Sequence, residues 1–574
     1  MKRTTARFLL SALVLAGGTA ALPAQNLGHD AAPADLVLVG ARVLTLAEPG
    51  LTAKPLSIAV RGGRIVALGP AADMKALTGA HTRRLDLAGR LVLPGLTDAH
   101  VHVEGLGTAL ESLDLVGAAS LAEALERVAQ RARTLPPGEW LLGRGWDQND
   151  WPGQAFPTAA DLDRVSGDHP VVLTRVDGHA SWVNTRALQA AELTAATPDP
   201  SGGRVLRDAA GAPAGVLVDA AQSLVSQRIP PPGSEARKRR LQKGLAAAAA
   251  AGLTEVHDAG VTVDTIPLYK ELLAAGGMPI RAYVMLRGPG EFLDHAERLQ
   301  PEIGLGDGML TVRAIKVVSD GALGSRGALL LEPYADEPAT RGLLTVDGAA
   351  YDQLLAAALR RGFQVNTHAI GDAANRFVLD AYEKAFGGKS GAAHRFRVEH
   401  AQILAPADVP RFEALGVIPS MQPTHCTSDM YWAEKRLGPE RVKGAYLWKT
   451  FLKRGVAIAG GSDAPVEKIA VLPGLYAAVT RQDAKGWPKG GWHPEERVSL
   501  REALEMFTTG AARAAFEEGE RGTIEVGKRA DFTVLSRDIT ALPPAALLQT
   551  QVEATIVGGT VAYERNRHGG GPGI

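Results

Sequence analysis

The sequence of 574 residues contains a single cysteine, Cys426. No disulfide can therefore form within the chain, and its stability has to come from a large packed core or a bound metal. A lone cysteine is also a candidate nucleophile, but its neighbours in "QPTHCTSDM" provide no recognisable activating pattern. The sequence thus gives little support to cysteine chemistry.

An excess of charge of one sign is also absent, because 62 lysines and arginines are balanced by 62 aspartates and glutamates. Nucleic acids and anionic lipid surfaces are bound through basic faces or polybasic segments, which this chain lacks. Hydrophobic residues make up 46% of the chain, enough for a large globular core. We expect a small-molecule substrate and no nucleic-acid partner, and the sequence leaves a homodimer open.

No apolar run in the N-terminal region is long enough to span a bilayer, since "FLLSALVLAGG" is too short. This run follows Lys2, Arg3 and Arg7, and small residues then lead to a cleavage point after Ala24. The pattern is typical of a secretory signal peptide over residues 1–24. We expect an exported chain, periplasmic or secreted, with no membrane attachment after cleavage; a retained membrane anchor is the alternative.

Short alternating apolar and polar segments with glycine turns occur at both ends of the mature sequence. They are "DLVLVGARVLTL" and "SIAVRGGRIVALG" near the start, and "GTIEVGKRADFTVLSRD" and "EATIVGGTVAYE" near the end. This pattern predicts antiparallel strands. We expect one small β-sandwich domain formed jointly by residues 34–95 and 511–566.

The middle of the chain, residues 96–510, follows a different rhythm in which short apolar strands alternate with helical stretches. The strands are predicted in "LPGLTDAHVH", "GLTEVHDAG", "IRAYVMLRG", "TVRAIKVVSDG", "GFQVNTHAIGD", "FRVEHAQIL", "GVIPSMQPTH" and "VAIAGGSDAP". Eight such units predict an α/β protein with a (β/α)8 TIM-like barrel, whose chemistry lies at the C-terminal ends of the strands.

A long insertion, over about residues 105–245, separates the first predicted strand from the second. Insertions of this length are usually functional lids or subdomains. Four of the eight tryptophans occur here: Trp140, Trp146, Trp151 and Trp182. This concentration predicts either an apolar wall over the barrel mouth or ordinary packing of the insertion itself.

Residue types that bind metals occur at the ends of five predicted strands. The first ends with His100 and His102, whose side chains two residues apart point to one face of an extended chain. The other candidates follow in chain order: Lys316, His368, His400 and Asp463. The H-x-H pair alone also fits a strand end with structural histidines, but six candidates at one barrel mouth favour a metal site.

This order of residues on a barrel flanked by a split β domain resembles the amidohydrolase superfamily of metal-dependent hydrolases. The closer resemblance is to the amidohydrolase-3, YtcJ-like group, which includes N-substituted formamide deformylases. Further segments that carry the resemblance are "RGWDQNDW", "DGHASWVN", "IKVVSDGALGS", "NTHAIGDAAN", "VEHAQ" and "GGSDAPV". Together the matching segments span nearly all of the mature chain.

The resemblance implies two divalent metal ions, for which zinc fits the imidazole content. His100, His102 and Asp463 would hold one ion, His368 and His400 the other, and a carbamylated Lys316 would bridge them. A shared hydroxide would attack the substrate. Asp463 is expected to act as general base and then general acid. A structural aspartate in a glycine-rich turn, and an ion pair between Lys316 and Asp320, are the alternative interpretations.

Further candidates rest on position alone. His179, His425 and His257 could contact substrate, and so could Trp146 and Asp147 in "RGWDQNDW". Each could equally have a structural role.

Asp320 is expected to lie behind the metal ligands and to orient Lys316 or another ligand.

The leading hypothesis is a hydrolase that cleaves a C–N bond in a small amide, formamide or cyclic amide. Ester or lactone hydrolysis, and hydrolysis of N-acyl amino acids or dipeptides, would use the same site. Arg326 or Arg175 could then pair with a substrate carboxylate. Lys316 argues against a deaminase, since deaminases of this superfamily generally use one metal and lack the bridging lysine. A non-catalytic exported metal-dependent binding protein would not need Asp463.

Overall fold

The computed structural model describes residues 32–176, 178–200 and 203–565. The signal peptide predicted over residues 1–24 lies outside these ranges. Within them, no helix combines the length and apolar character that a bilayer crossing requires. The strands form three sheets, which belong to a barrel, a terminal β domain and the insertion.

The barrel contains eight parallel strands, each hydrogen-bonded to the next in chain order. They are Leu96–Val101, Leu253–Val261, Arg281–Arg287, Leu310–Val318, Gln364–Ala369, Arg397–His400, Ile418–Met421 and Ala459–Gly460. A short strand, Glu302–Gly304, pairs antiparallel with the fourth. All six residues of the first strand are buried, as expected for a parallel sheet covered by helices. The predicted (β/α)8 barrel is confirmed, and each strand overlaps its predicted segment; the second strand ends, and the fourth begins, one residue outside it.

Helices cover the outside of the barrel and extend its C-terminal loops. They are Val103–Glu111, Ser234–Ala250, Thr265–Ala274, Gly290–His295, Leu305–Gly308, Gly348–Arg361, Asp372–Ala385, Val409–Leu415, Pro423–Asp429, Ala433–Arg441, Trp448–Lys453, Val471–Thr480, Leu500–Glu505 and Ala511–Ala514, with a π-helical turn at Met506–Gly510. Gly348–Arg361 shows how sequence sets the bounds. Asp347 caps its start by accepting the Ala350 N–H, and Gly362 ends it in the left-handed conformation.

Both ends of the described chain contribute to the β domain. Its strands are Leu36–Val43, Lys54–Arg61, Arg64–Gly69, Arg83–Asp86, Leu91–Pro94, Phe532–Leu535, Val552–Val557 and Thr560–Glu564. Leu91–Pro94 pairs antiparallel with Phe532–Leu535, which joins the two parts in one hydrogen-bonded sheet. Two strands pair with the same edge of Leu36–Val43. Arg83–Asp86 pairs with its first half and Leu91–Pro94 with its last two residues. The two ends of the described chain therefore share one sheet, rather than the two facing sheets of the predicted sandwich.

The insertion is a folded subdomain with its own six-stranded sheet. The strands are Leu113–Asp114, Leu141–Trp146, Val171–Arg175, Ala180–Val183, Gly203–Arg207 and Pro213–Asp219, and the helices are Leu121–Ala132, Ala159–Asp163, Thr185–Ala190 and Ser223–Ser226. Trp146, Trp151 and Trp182 pack against one another in its hydrophobic core, with ring centroids 6.1–6.2 Å apart. Trp140 packs, partly buried, against a second core of the insertion.

Trp146, the proposed substrate contact, lies in this core. Its side chain is fully buried, and its indole N–H donates to the Leu173 carbonyl at 2.7 Å. The four tryptophans therefore pack within the insertion, which is the packing alternative raised by the sequence, and the substrate contact of Trp146 stays a prediction.

Candidate metal centre

His100 and His102 lie where the first barrel strand ends. The Nδ1 of His100 is 2.6 Å from Glu399 Oε2, and its Nε2 is 3.1 Å from Lys316 Nζ. The Nε2 of His102 lies 3.2 Å from Asp463 Oδ1, and the side chain of His102 is 40% exposed. Both rings therefore face the same mouth, with His100 in its floor and His102 at its rim.

Asp463 reaches these histidines from the loop after the eighth strand. Its Oδ1 is 3.5 Å from His100 Nε2, and its backbone N–H donates to the His100 carbonyl at 2.8 Å. Its φ of 60° is left-handed, which costs a non-glycine residue about 1–2 kcal/mol. A Cβ at Gly461 would lie 2.7 Å from the His100 nitrogen, so only glycine permits this close approach.

Asp463 is a carboxylate in this setting. Burial by itself would raise its pKa, but His100, His102 and His400 outweigh that effect and hold the pKa well below its usual range. The side chain is thus a proton acceptor at neutral pH.

His368 and His400 come from adjacent strands, and their ring centroids are 4.5 Å apart. The Nδ1 of His400 lies 2.7 Å from Gln422 Oε1. When Nδ1–H donates to that amide oxygen, the Nε2 of His400 keeps its lone pair. Burial lowers the pKa of His400 well below its ordinary value, and His368 and His100 lower it further. A neutral ring is the form that binds metal.

Lys316 lies on the fourth strand with its Nζ 3.1 Å from His100 Nε2, and only 6% of its surface is exposed. Burial lowers the pKa of its amine, while Glu399 and Asp463 act in the opposite direction. Lowering the pKa increases the share of neutral amine, which is the nucleophilic form.

The six predicted ligands therefore form one continuous cluster, and its donors fit a divalent cation. Ligand atoms of His100, His400 and Asp463 lie within 4.8 Å of one another. His368 Nε2 and Asp463 Oδ1 are buried without a hydrogen-bond partner in the described chain. Imidazole nitrogens and a carboxylate oxygen are ligands that zinc prefers.

Two further predicted residues belong to this cluster. His425 stacks on His400 with ring centroids 5.7 Å apart, and its Nε2 is 3.7 Å from Asp463 Oδ2. Asp320 lies 3.4 Å from the Nε2 of His368 and accepts the backbone N–H groups of Leu329, Ile370 and Gly371. Asp320, in the loop after the fourth strand, thus lies beside His368 and holds the backbone that follows the fifth strand.

His257 was predicted at the end of the second strand, but that strand continues to Val261. His257 therefore lies in mid-strand, fully buried inside the barrel. Its Nδ1 is 3.0 Å from an Arg397 guanidinium nitrogen, and its Nε2 is 3.4 Å from Glu255 Oε2. These contacts give the ring a structural role, and its contact with substrate stays a prediction.

Asp147 and His179 both lie in the insertion. Asp147 pairs with Arg175, which also donates to Gln148 at 3.0 Å. His179 is 75% exposed, with its Nδ1 2.8 Å from Asp219 Oδ1. Their contacts with substrate stay predictions.

Sequence reasoning missed three groups that hold the ligands in place: Glu399, Gln422 and Asp98. The Oδ1 of Asp98 accepts the N–H groups of His100 and Ser462, at 3.1 and 3.0 Å, and so joins the first and eighth strands. Burial raises the pKa of Asp98 to about 6. In each case the sequence offered only a polar residue inside or directly after a predicted strand.

Comparison with known proteins agrees with this geometry. The model of the amidohydrolase family matches residues 83–563. YtcJ of Bacillus subtilis is 35% identical over 533 residues, covering 92% of this chain and 99% of the relative. The N-substituted formamide deformylase of Arthrobacter pascens is 31% identical over 557 residues, covering 92% of this chain and 98% of that enzyme.

Among solved structures, an uncharacterized metal-dependent hydrolase from Pyrococcus furiosus superposes with a TM-score of 0.73 at 28% identity. The match covers 89% of this chain and 99% of the archaeal chain. Family model, relatives and fold agree over nearly the whole described chain, and this protein belongs to the amidohydrolase family of metal-dependent hydrolases.

Proposed function

We propose that the protein hydrolyses a C–N bond in a small, uncharged amide, formamide or cyclic amide. The observation that carries this proposal is the cluster of six candidate ligands, in which Asp463 contacts His100 and His102 and lies near His400. The named activity of the Arthrobacter pascens relative supports the same class of bond. Family membership establishes a metal-dependent hydrolase, and the bond, metal number and residue roles are the parts proposed.

His100, His102 and Asp463 would hold one divalent ion, and His368 and His400 a second. Zinc fits a set dominated by imidazoles. Bound ions of this kind lower the pKa of water and polarise a carbonyl group. The chain's own contribution is to place the ligands, to move protons and to orient the substrate.

Lys316 would join the two halves of the cluster as a carbamate. A lysine ammonium has only donors and cannot bind a cation, but a neutral amine can add to carbon dioxide. The new N–C bond and the loss of one proton yield an anionic group with two oxygens. Burial of Lys316 and its 3.1 Å approach to His100 Nε2 support this role.

Asp463 would accept a proton from the attacking water and deliver it to the departing nitrogen. Its Oδ2 faces His425, whose Nε2 is buried without a hydrogen-bond partner in the described chain. His425 would then donate to the substrate oxygen on which negative charge develops.

An uncharged substrate is favoured by the residues around the mouth. The two arginines that could recognise a substrate carboxylate are engaged with acids, Arg326 with Asp336 and Arg175 with Asp147. Val318, two residues beyond Lys316 and on the same face of its strand, is 48% exposed. Such a site fits a neutral amide better than an N-acyl amino acid or a dipeptide.

A hydrolysis screen tests the proposal. Zinc-loaded protein is incubated with formamides, aryl amides, cyclic amides, N-acyl amino acids and lactones, and released amine or acid is measured. We expect turnover of neutral amides that is lost on chelation and restored by zinc. Turnover confined to lactones, or to N-acyl amino acids, would contradict the C–N assignment or the uncharged substrate, respectively.

A further inference from the structure

Glu399 is a fully buried carboxylate to which none of the chemical steps above assigns a role. Its Oε2 lies 2.6 Å from the Nδ1 of His100, and neither side chain is more than 1% exposed. Its other oxygen, Oε1, is buried without a hydrogen-bond partner in the described chain. A buried carboxylate is costly unless it is paired, so this contact calls for an explanation.

The backbone brings Glu399 and His400 to the same site, although consecutive residues of a regular strand point to opposite faces. Glu399 is still in the barrel ladder, where it pairs in register with His368 and with Ser420. His400 then adopts a left-handed φ of 72°, which takes it out of the regular alternation. Glu399 can therefore contact the Nδ1 of His100 while the ring of His400 lies 5.0 Å from that of His100, centroid to centroid.

We propose that Glu399 is a positioning residue for the metal centre. By accepting the Nδ1–H of His100, the carboxylate fixes the tautomer in which Nε2 keeps its lone pair, and it orients the ring toward Lys316 and Asp463. This inference rests on the proposed function, which makes His100 a metal ligand. The additional claim is that Glu399, which does not itself bind the metal, raises the affinity of the site for metal through His100.

Arg397 compensates the negative charge of Glu399 inside the barrel. It lies two residues earlier, on the same face of the strand, and is fully buried. Its guanidinium is held by His257 Nδ1 at 3.0 Å and by the Ala514 carbonyl at 2.7 Å. Because Arg397 has these two contacts of its own, a neutral residue at position 399 leaves it hydrogen-bonded. Neutralisation should therefore act on the candidate ligands His100 and Lys316 rather than on Arg397.

The test compares Glu399→Gln with wild type and with Glu496→Gln. Glutamine keeps an acceptor for the Nδ1–H of His100 but removes the charge. Glu496 is a matched control because it is also a buried glutamate, and it accepts from the backbone and hydroxyl of Thr450, remote from the ligands. Zinc affinity is measured by competition with a chelator, and the visible absorption of the cobalt-substituted protein reports the ligand geometry.

We expect Glu399→Gln to weaken zinc binding by about 10–100-fold and to change the cobalt spectrum, with Glu496→Gln like wild type. Glu399→Asp keeps the charge on a shorter side chain, so its zinc affinity should lie between those of wild type and Glu399→Gln. Unchanged zinc affinity and spectrum in folded Glu399→Gln would overturn the inference. So would failure of both 399 variants to fold beside a folded control, since Glu399 would then serve the fold itself. Wild type without bound divalent ions would instead refute the proposed function.

Discussion

Asp463 contacts His100 twice, through a 2.8 Å hydrogen bond from its backbone N–H to the His100 carbonyl and through Oδ1, 3.5 Å from the ring Nε2. The eighth strand has only two residues, and the eighth and first strands are the two ends of the described sheet order. The contact between Asp463 and His100 therefore links the last strand to the first at the candidate metal centre.

Asp463→Asn should lower kcat by about 10²- to 10⁴-fold, because an amide cannot accept the proton of the attacking water. The backbone hydrogen bond to His100 survives the substitution, so the fold should be kept. The check is kcat for the best amide of the screen, together with zinc per chain. Normal turnover by a fully zinc-loaded variant would exclude Asp463 as the base.

Lys316→Ala should reduce bound zinc sharply, because the carbamate that joins the two metal positions can no longer form. Zinc per chain is measured by elemental analysis after gel filtration, with the exposed Lys443→Ala as control. Wild type reconstituted without carbon dioxide should show the same deficit, and added bicarbonate should reverse it. A full zinc load in Lys316→Ala would contradict the bridging role.

Acid should destabilise the metal-free protein partly through His257. Burial, with the nearby Arg397, lowers the pKa of this ring from 6.5 to about 4, so it stays neutral when folded and takes up a proton when unfolded. The stability it contributes is present above about pH 6.5 and is lost as pH falls toward 4, by roughly 3 kcal/mol at most.

His257→Gln should therefore flatten this part of the profile. Unfolding temperatures of wild type and variant are compared at about pH 7 and pH 4.5 in the absence of metal. Parallel losses in the two proteins would show that His257 does not titrate as inferred.

Trp146→Ala should destabilise the insertion by about 3–5 kcal/mol, because it removes a fully buried ring that packs on Trp151 and Trp182. Zinc content should stay at the wild-type level, since no proposed ligand lies in the insertion. Limited proteolysis and zinc analysis check this, with the milder Trp146→Phe as control. If Trp146→Ala lost zinc while its insertion stayed folded, the metal centre would depend on Trp146, contrary to this prediction.

The fold could be read from the sequence because parallel barrel strands are short apolar runs separated by amphipathic helices. The ligands could be read because each follows such a run, and the C-terminal ends of the strands meet at one mouth. His100, His368 and His400 were placed by this logic alone.

How deep in the barrel a strand residue lies, and which way its side chain points, could not be predicted from the same pattern. His257 resembles His100 in sequence, but its strand continues to Val261 and leaves the ring deep in the barrel. Glu399 was missed for a related reason: only the left-handed turn at His400 lets adjacent residues reach one site. The tryptophans indicated an apolar surface, but the sequence did not show which surface they cover. In the structure Trp146, Trp151 and Trp182 pack in the core of the insertion.

Diffraction at the zinc absorption edge from crystals of the zinc-loaded protein tests the two-metal site most directly. We expect two anomalous peaks inside the cluster, one beside His100, His102 and Asp463 and one beside His368 and His400. Lys316 should carry extra density that reaches both peaks. A single zinc peak, with Lys316 as an unmodified side chain, would contradict a two-metal hydrolase.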